Sequence, residues 1–467
     1  MPPAYQPADL PPKTAGFWQL AGPGAVLVGL SIGAGELIVW PRNTAQFGAS
    51  MTWAAVLGVF VQLWINCEVG RYTLATGESI YGGFARISRH FAWIFLVLNV
   101  CSWILPGWAR ACGGALKVLI VGPQGWGDPW MWTTITFVGV ALVLFGPKRV
   151  YASLEHTVEV LVVLITLGLV ALAFSVGDAA TWKDLGKGIL NIPYKDPDMA
   201  LYALFSSVVF AGAGGTANLF FSFYIRDKGW GMGSLVPKVL NPLRQRQETT
   251  AERAFQITTD ADNMQRWRAW FRHLQLDQVL FFWLLNTFTI VLFIYGALAV
   301  LHPRGIVPNQ ELLVWQEAEM LGSLWGSFGR LVFLLVGTAC LFSTQLTLID
   351  GVARSCADIL HTNYAWAQKK PLSWWYGTIA VAWIVVGIVL TYVYESLPPI
   401  LFLLGSAFFG GIAMAIYTPL ALVLNRTRLP AALRPGPLRC TMLGMISAFY
   451  IIFALVSVVV LVQRLFV

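Results

Sequence analysis

The sequence predicts an all-α polytopic membrane protein, built as two inverted five-helix repeats followed by an eleventh transmembrane helix, and three observations predict it. The 467-residue chain is 57% hydrophobic, 12% charged and holds 21 tryptophans, a composition foreign to soluble domains of this length. About eleven apolar segments are long enough to cross roughly 30 Å of hydrocarbon as helices. The first and the sixth, five segments apart, are each interrupted by glycines at comparable depth, as paired discontinuous helices are in an inverted repeat.

The spans fall near residues 18–48, 51–76, 91–121, 128–146, 154–176, 199–225, 276–301, 327–352, 373–395, 398–425 and 440–464. Their continuous apolar character is that of helices, since barrel strands alternate at period two. The first five spans make one repeat, residues 18–176, and the next five the second, residues 199–425, with a polar loop at 226–275; residues 440–464 form the eleventh helix. The opening stretch "MPPAYQPADLPPKTAG" is polar and proline-rich, so residues 1–17 are expected to be a cytoplasmic tail rather than a cleaved signal.

Lysine and arginine fix the expected orientation. One set of loops carries "ARISRH", "PKRVY", the basic segment 226–272, "AQKK" and "NRTRLPAALRPGPLR", against Lys183, Lys187, Lys195 and Arg304 on the other. That asymmetry places the N-terminus in the cytoplasm, the C-terminus with Arg464 outside, and the protein in a plasma (inner) membrane. The net charge of +8 then reflects the bilayer partner and not a nucleic acid. The six cysteines, at 67, 101, 112, 340, 356 and 440, have no CxxC spacing and read as small buried residues.

The two interruptions are "SIGAGELIVW" in span 1 and "FAGAGGTANLFF" in span 6. Paired breaks at positions one and six of two five-helix halves define the LeuT-type layout, with a passenger held between them. Broken backbone at that depth is tolerated where it lines a cavity or meets a ligand. The expected substrate-binding residues are therefore Gly33, Ala34, Gly35 and Glu36 from span 1, with Ala213, Gly215, Thr216 and Asn218 from span 6. The competing reading makes the glycines close-packing positions of neighbouring helices.

From Gly22 to Gly48, "GPGAVLVGLSIGAGELIVWPRNTAQFG" resembles, in register and without a gap, the first helix of the NRAMP divalent-metal transporters. "EVGRYTLATG" in span 2, "GGAL" in span 3 and "GGTANLFFSFY" in span 6 are also similar to that family. The resemblance implies a secondary carrier of divalent metal, and the departures from it are specific. Where the family carries a metal-binding Asp-Pro-Gly-Asn, this chain has Gly33, Ala34, Gly35 and Glu36; where it carries Met-Pro-His, this chain has Gly215, Thr216 and Ala217. An acid of the family's proton route aligns with Arg110, and a glutamine of its metal site with Ser406.

The residues present leave three readings open. Glu36, Asn218 and Thr216 would make an all-oxygen metal site suited to a hard cation such as magnesium or manganese. Arg110 and the helix-break dipoles would instead suit a small anion, or a zwitterion such as an amino acid. Or Glu36 and Arg110 form a buried structural ion pair.

Further gating or coupling candidates are Glu68 with Arg71 and Asp350 with Arg354, spaced three and four apart at the inner ends of spans 2 and 8. Lys117 is expected to snorkel outward and His156 to sit at a span boundary. In "AERAFQITTDADNMQRWRAWFRHLQ", Trp267, Trp270, Phe271 and Leu274 recur at helical spacing with Arg266, Arg268 and Arg272 between them. That pattern fits a helix lying on the membrane or a packed extension of span 7. There is no GxxxxGK[ST] or HExxH motif, and the histidines at 90, 156, 273, 302 and 361 are scattered. The expectation is a transporter of a small ion or solute, not an enzyme, without a cofactor, its oligomeric state left open.

Overall fold

Glycine and proline set the ends of the helices, and lipid-like apolar faces separate them. The computed structural model describes residues 4–13, 22–146, 150–175, 178–237, 254–308 and 313–466. Residues 14–17 of the expected tail, residues 238–253 of the expected loop, and the side chains of Ala34 and Arg464 lie outside the described set. Among the described residues, each of the eleven expected spans carries helix. We label them α1 (23–47), α2 (Thr52–Thr76), α3 (His90–Val121), α4 (Pro129–Phe145), α5 (Val150–Ser175) and α6a (Leu201–Val209) with α6b (Ala217–Lys228). There follow α7 (Ala261–Arg304), α8 (Glu319–Asn363), α9 (Leu372–Val393), α10 (Pro399–Arg428) and α11 (Pro437–Phe466).

Prolines at the first or second position open α1, α4 and α10, where a missing N–H costs nothing. Gly77 ends α2 in the left-handed region at φ 69°. α3 is divided by Ile104–Pro106, and α8 turns at Gly326, φ 59° and ψ −136°. α2 is buried along nearly its whole length, so its polar residues face protein. α4, α5, α9 and α11 expose rows such as Val138 and Leu142, Val163 and Leu167, Val385 and Val389, Ile452 and Leu455. Outward apolar rows over a buried polar interior are what a surrounding of lipid tails requires.

One face of the molecule, here the tail face, gathers the starts of α1, α3 and α7 with the ends of α2, α6b, α8 and α10. There the tail forms strand β1 (Tyr5–Ala8), paired in parallel with β2 (Ala254–Ile257), Tyr5 opposite Ala254. Asp260 caps α7 by accepting from the Asn263 N–H at 2.9 Å. The Asn263 side chain then binds the Leu10 N–H at 2.8 Å and Asp9 at 2.9 Å. Trp270 Nε1 donates to the Pro11 carbonyl at 2.8 Å, and Trp267, Trp270 and Leu274 are buried, Leu274 against Gly70 of α2. Of the two readings of this segment, the structure therefore shows the packed extension of span 7; its apolar stripe is covered by protein.

Candidate functional site

The sharpest break in any span lies in α6, where Phe210 to Thr216 leave the helix. Gly214 and Gly215 have φ of 72° and 50°, a region costly to residues with a Cβ. A Cβ on Gly215 would also come 2.8 Å from the Gly410 Cα of α10. The break strands backbone groups in an apolar interior, and side chains from two helices take them up. Gln62 of α2 donates through Nε2 to the Val209 carbonyl at 3.0 Å and accepts the Gly214 N–H through Oε1 at 2.9 Å. The Tyr417 hydroxyl of α10 donates to the Gly215 carbonyl at 2.8 Å, and Trp103 Nε1 of α3 donates to Thr216 Oγ1 at 2.8 Å.

These bonds fix the orientation of Asn218. The Gln62 oxygen already accepts from a backbone N–H, and the Tyr417 hydroxyl hydrogen is committed to Gly215, so both can only accept from Asn218. Its Nδ2 donates to them at 3.2 and 3.1 Å. The amide oxygen, Asn218 Oδ1, is buried and has no partner among the described residues.

α1 is interrupted differently. Residues Ile32–Val39 are π-helical, and the Trp40 N–H returns five residues to the Gly35 carbonyl, so the backbone widens without unwinding. The expectation that its glycines bare polar backbone is corrected on this point. A Cβ on Gly35 would fall on the Phe210 carbonyl of the α6 break, and one on Gly33 would meet Thr344 and come 3.0 Å from the Cys340 carbonyl of α8. They are close-packing positions. Glu36 is fully buried; the Thr289 hydroxyl of α7 donates to its Oε2 at 2.6 Å, and its Oε1 has no partner among the described residues.

Glu36, Thr216 and Asn218 thus keep three separate sets of partners: Thr289, Trp103, and Gln62 with Tyr417. Among the described residues no group of three or more His, Cys, Asp or Glu is placed to hold a metal ion. Ala213 is buried within the break, and Ser406 of α10 is buried with an unpartnered hydroxyl.

The expected Glu36–Arg110 pair does not form. Arg110, in the second half of α3, donates to the carbonyls of Tyr394, Glu395 and Leu397 at 2.8, 2.7 and 2.6 Å. It caps the end of α9 and the turn into α10, a face of α3 that sequence spacing does not reveal.

The pairs Glu68–Arg71 and Asp350–Arg354 form, at 2.8 and 2.7 Å, each inside a larger network. Glu68 also meets Arg439 at 3.1 Å and Asn425 at 2.9 Å, tying α2 to α10 and α11. Arg354 bridges to Asp227 of α6b, and the Tyr376 hydroxyl of α9 donates to Asp350 at 2.9 Å. Lys117 is half-buried and His156 exposed. Sequence reading missed Gln62, Trp103, Thr289, Tyr417 and Asp227. Gln62 carried a signal, a lone amide in the apolar run "VFVQLW"; the others are ordinary interfacial residue types.

Compared with known proteins, the chain matches no family model. It is similar, at 21% identity over 75% of its length and 72% of the relative's, to an uncharacterized protein of Pasteurella multocida. Among solved structures it is similar to the manganese transporter of Eremococcus coleocola, at 16% identity, TM-score 0.68, covering 97% of this chain and 89% of that one. It also resembles MhsT in complex with L-phenylalanine (14%, TM-score 0.57, 93% and 97% covered). A nucleobase-cation-symport-1 family transporter in a closed conformation gives 12% and TM-score 0.56, with 94% and 91% covered. The fold is accordingly the all-α LeuT type that the paired interruptions predict.

Proposed function

We propose that this chain is a secondary transporter of the NRAMP-related type, moving a hard divalent cation of magnesium or manganese character by alternating access. One observation carries the reading: beside the two interrupted helices, the buried groups left without partners include the acceptor oxygens Glu36 Oε1 and Asn218 Oδ1. Buried acceptors without donors favour a positively charged occupant. Carboxylate and amide oxygens suit hard cations, and span 6 has no thioether at the family's methionine position to favour soft ones. The fold likeness to a manganese transporter supports the same class.

The opposite reading, an anionic or zwitterionic passenger, needs Arg110 at the site. Its guanidinium is instead engaged by three backbone carbonyls at the α9–α10 turn. On the proposed reading α1 and α6 rock together against the remaining bundle, the two repeats being 18–176 and 199–425, and the tail face is cytoplasmic. The test is manganese and magnesium uptake by purified protein in liposomes. Saturable entry above protein-free vesicles is the expected result; entry of neither ion through protein verified as folded would refute the proposal.

A further inference from the structure

A second site lies on the tail face, away from both interruptions. Where α3 begins and α8 and α10 end, the surface forms an open cavity of about 760 Å³ lined by Arg86, Arg89, His90, Trp93, Tyr364 and Arg428 among others, and by no Asp or Glu. We propose that this cavity binds the phosphate headgroup of an anionic phospholipid.

The charge is local and largely unmatched. Arg86 is paired with Glu78 at 2.7 Å, but Arg89 and Arg428 are exposed and make no ion pair among the described residues. Arg428 instead donates to the Arg86 carbonyl at 2.7 Å, which holds the end of α10 beside the start of α3. The positive end of the α3 dipole opens on the same space. The two exposed guanidiniums, Arg89 and Arg428, are planar multi-donor groups suited to the oxygens of a phosphate.

What marks the occupant as lipid is the path out of the cavity. Trp93 and Val97, four residues apart on α3 and so on one stripe, are 51% and 49% exposed. An exposed tryptophan in the first turn of a membrane helix sits where such rings anchor at the headgroup level, and the stripe below it offers a track for an acyl chain. Free phosphate would use the arginines and gain nothing from that stripe. Basic pockets between the ends of transmembrane helices are where anionic headgroups are bound.

The experiment is native mass spectrometry of detergent-purified protein titrated with phosphatidylglycerol, phosphatidylcholine or inorganic phosphate, for wild type and the Arg89→Ala/Arg428→Ala variant. Wild type is expected to retain phosphatidylglycerol in preference to phosphatidylcholine, with inorganic phosphate a poor competitor. Each arginine removed should weaken retention by about fivefold, the usual worth of a basic side chain near an anionic surface. Equal retention of the two lipids, full displacement by inorganic phosphate, or unchanged retention in the variant would each overturn the site. If the double variant does not fold, Arg89→Gln takes its place, at an exposed position without a side-chain capping bond, and the same outcomes decide.

Discussion

Thr289 donates a 2.6 Å hydrogen bond to one oxygen of Glu36, while the other oxygen, equally buried, has no partner among the described residues. On the proposed reading a cation meets the oxygen that has no partner, and Thr289 orients the carboxylate toward it. Thr289→Val is expected to raise the apparent KM for manganese uptake about tenfold, the usual scale for a group that orients a metal ligand. An unchanged KM would show that Thr289 does not position the carboxylate.

Gln62 holds the α6 break together through both ends of its amide. Gln62→Leu leaves the Val209 carbonyl, the Gly214 N–H and one Asn218 N–H without their partner. At about 1–3 kcal/mol for each buried group so orphaned, the apparent melting temperature in detergent should fall sharply. Gln62→Glu keeps an acceptor for Gly214 and should fall less. Equal melting of the two variants would mean that the break is not held this way.

Arg110 is a structural strap on this account. Arg110→Ala is expected to lower thermal stability while uptake per folded molecule changes less than about threefold. Arg110→Lys should restore only part of the stability, since a single ammonium cannot reproduce a planar fork engaging three carbonyls. Uptake lost in Arg110→Ala protein of normal stability would revive the anionic reading.

Arg354 sits between Asp227 and Asp350, and the network joins α6b, α8 and α9. Arg354→Met should cost about 3–5 kcal/mol, because it leaves two carboxylates buried without their cation. Adding Asp227→Asn and Asp350→Asn should recover a good part of that loss, a non-additivity read from the yield of monodisperse protein and its melting temperature.

The tail contact has a pH signature outside the membrane. Hydrogen bonds from the Asn263 N–H, Thr258 and the Asn263 side chain hold the Asp260 carboxyl down to about 2 from an ordinary 3.8. A depressed folded-state value means that the contribution is fully present above about 4 and is lost as pH falls toward 2. Hydrogen exchange at Leu10, whose N–H is bound by Asn263, should therefore stay protected at pH 3 in wild type. In Asp260→Ala that protection should be lost already at pH 6.

Apolar run length made the eleven helices legible, and Gly214-Gly215 made the α6 break legible because positive φ is written in residue type. The form of the α1 interruption was not. Its glycines answer to Phe210 and Thr344, more than 170 residues away in sequence, and no local rule distinguishes a close-packing glycine from one that frees backbone. The same limit explains Arg110, whose α3 face turns to the α9–α10 junction rather than to Glu36. Glu36 itself was legible as a buried charge, but its Thr289 partner was one threonine among many. Asp227 lay just past the end of span 6, where a charge reads as an ordinary boundary residue.

The most direct measurement of the central claim is manganese uptake by proteoliposomes containing wild type, Glu36→Gln or Arg110→Gln protein, each normalised to correctly folded protein. The account predicts that Glu36→Gln abolishes saturable uptake while Arg110→Gln keeps most of it. The reverse order, uptake surviving without the carboxylate and failing without the guanidinium, would contradict it.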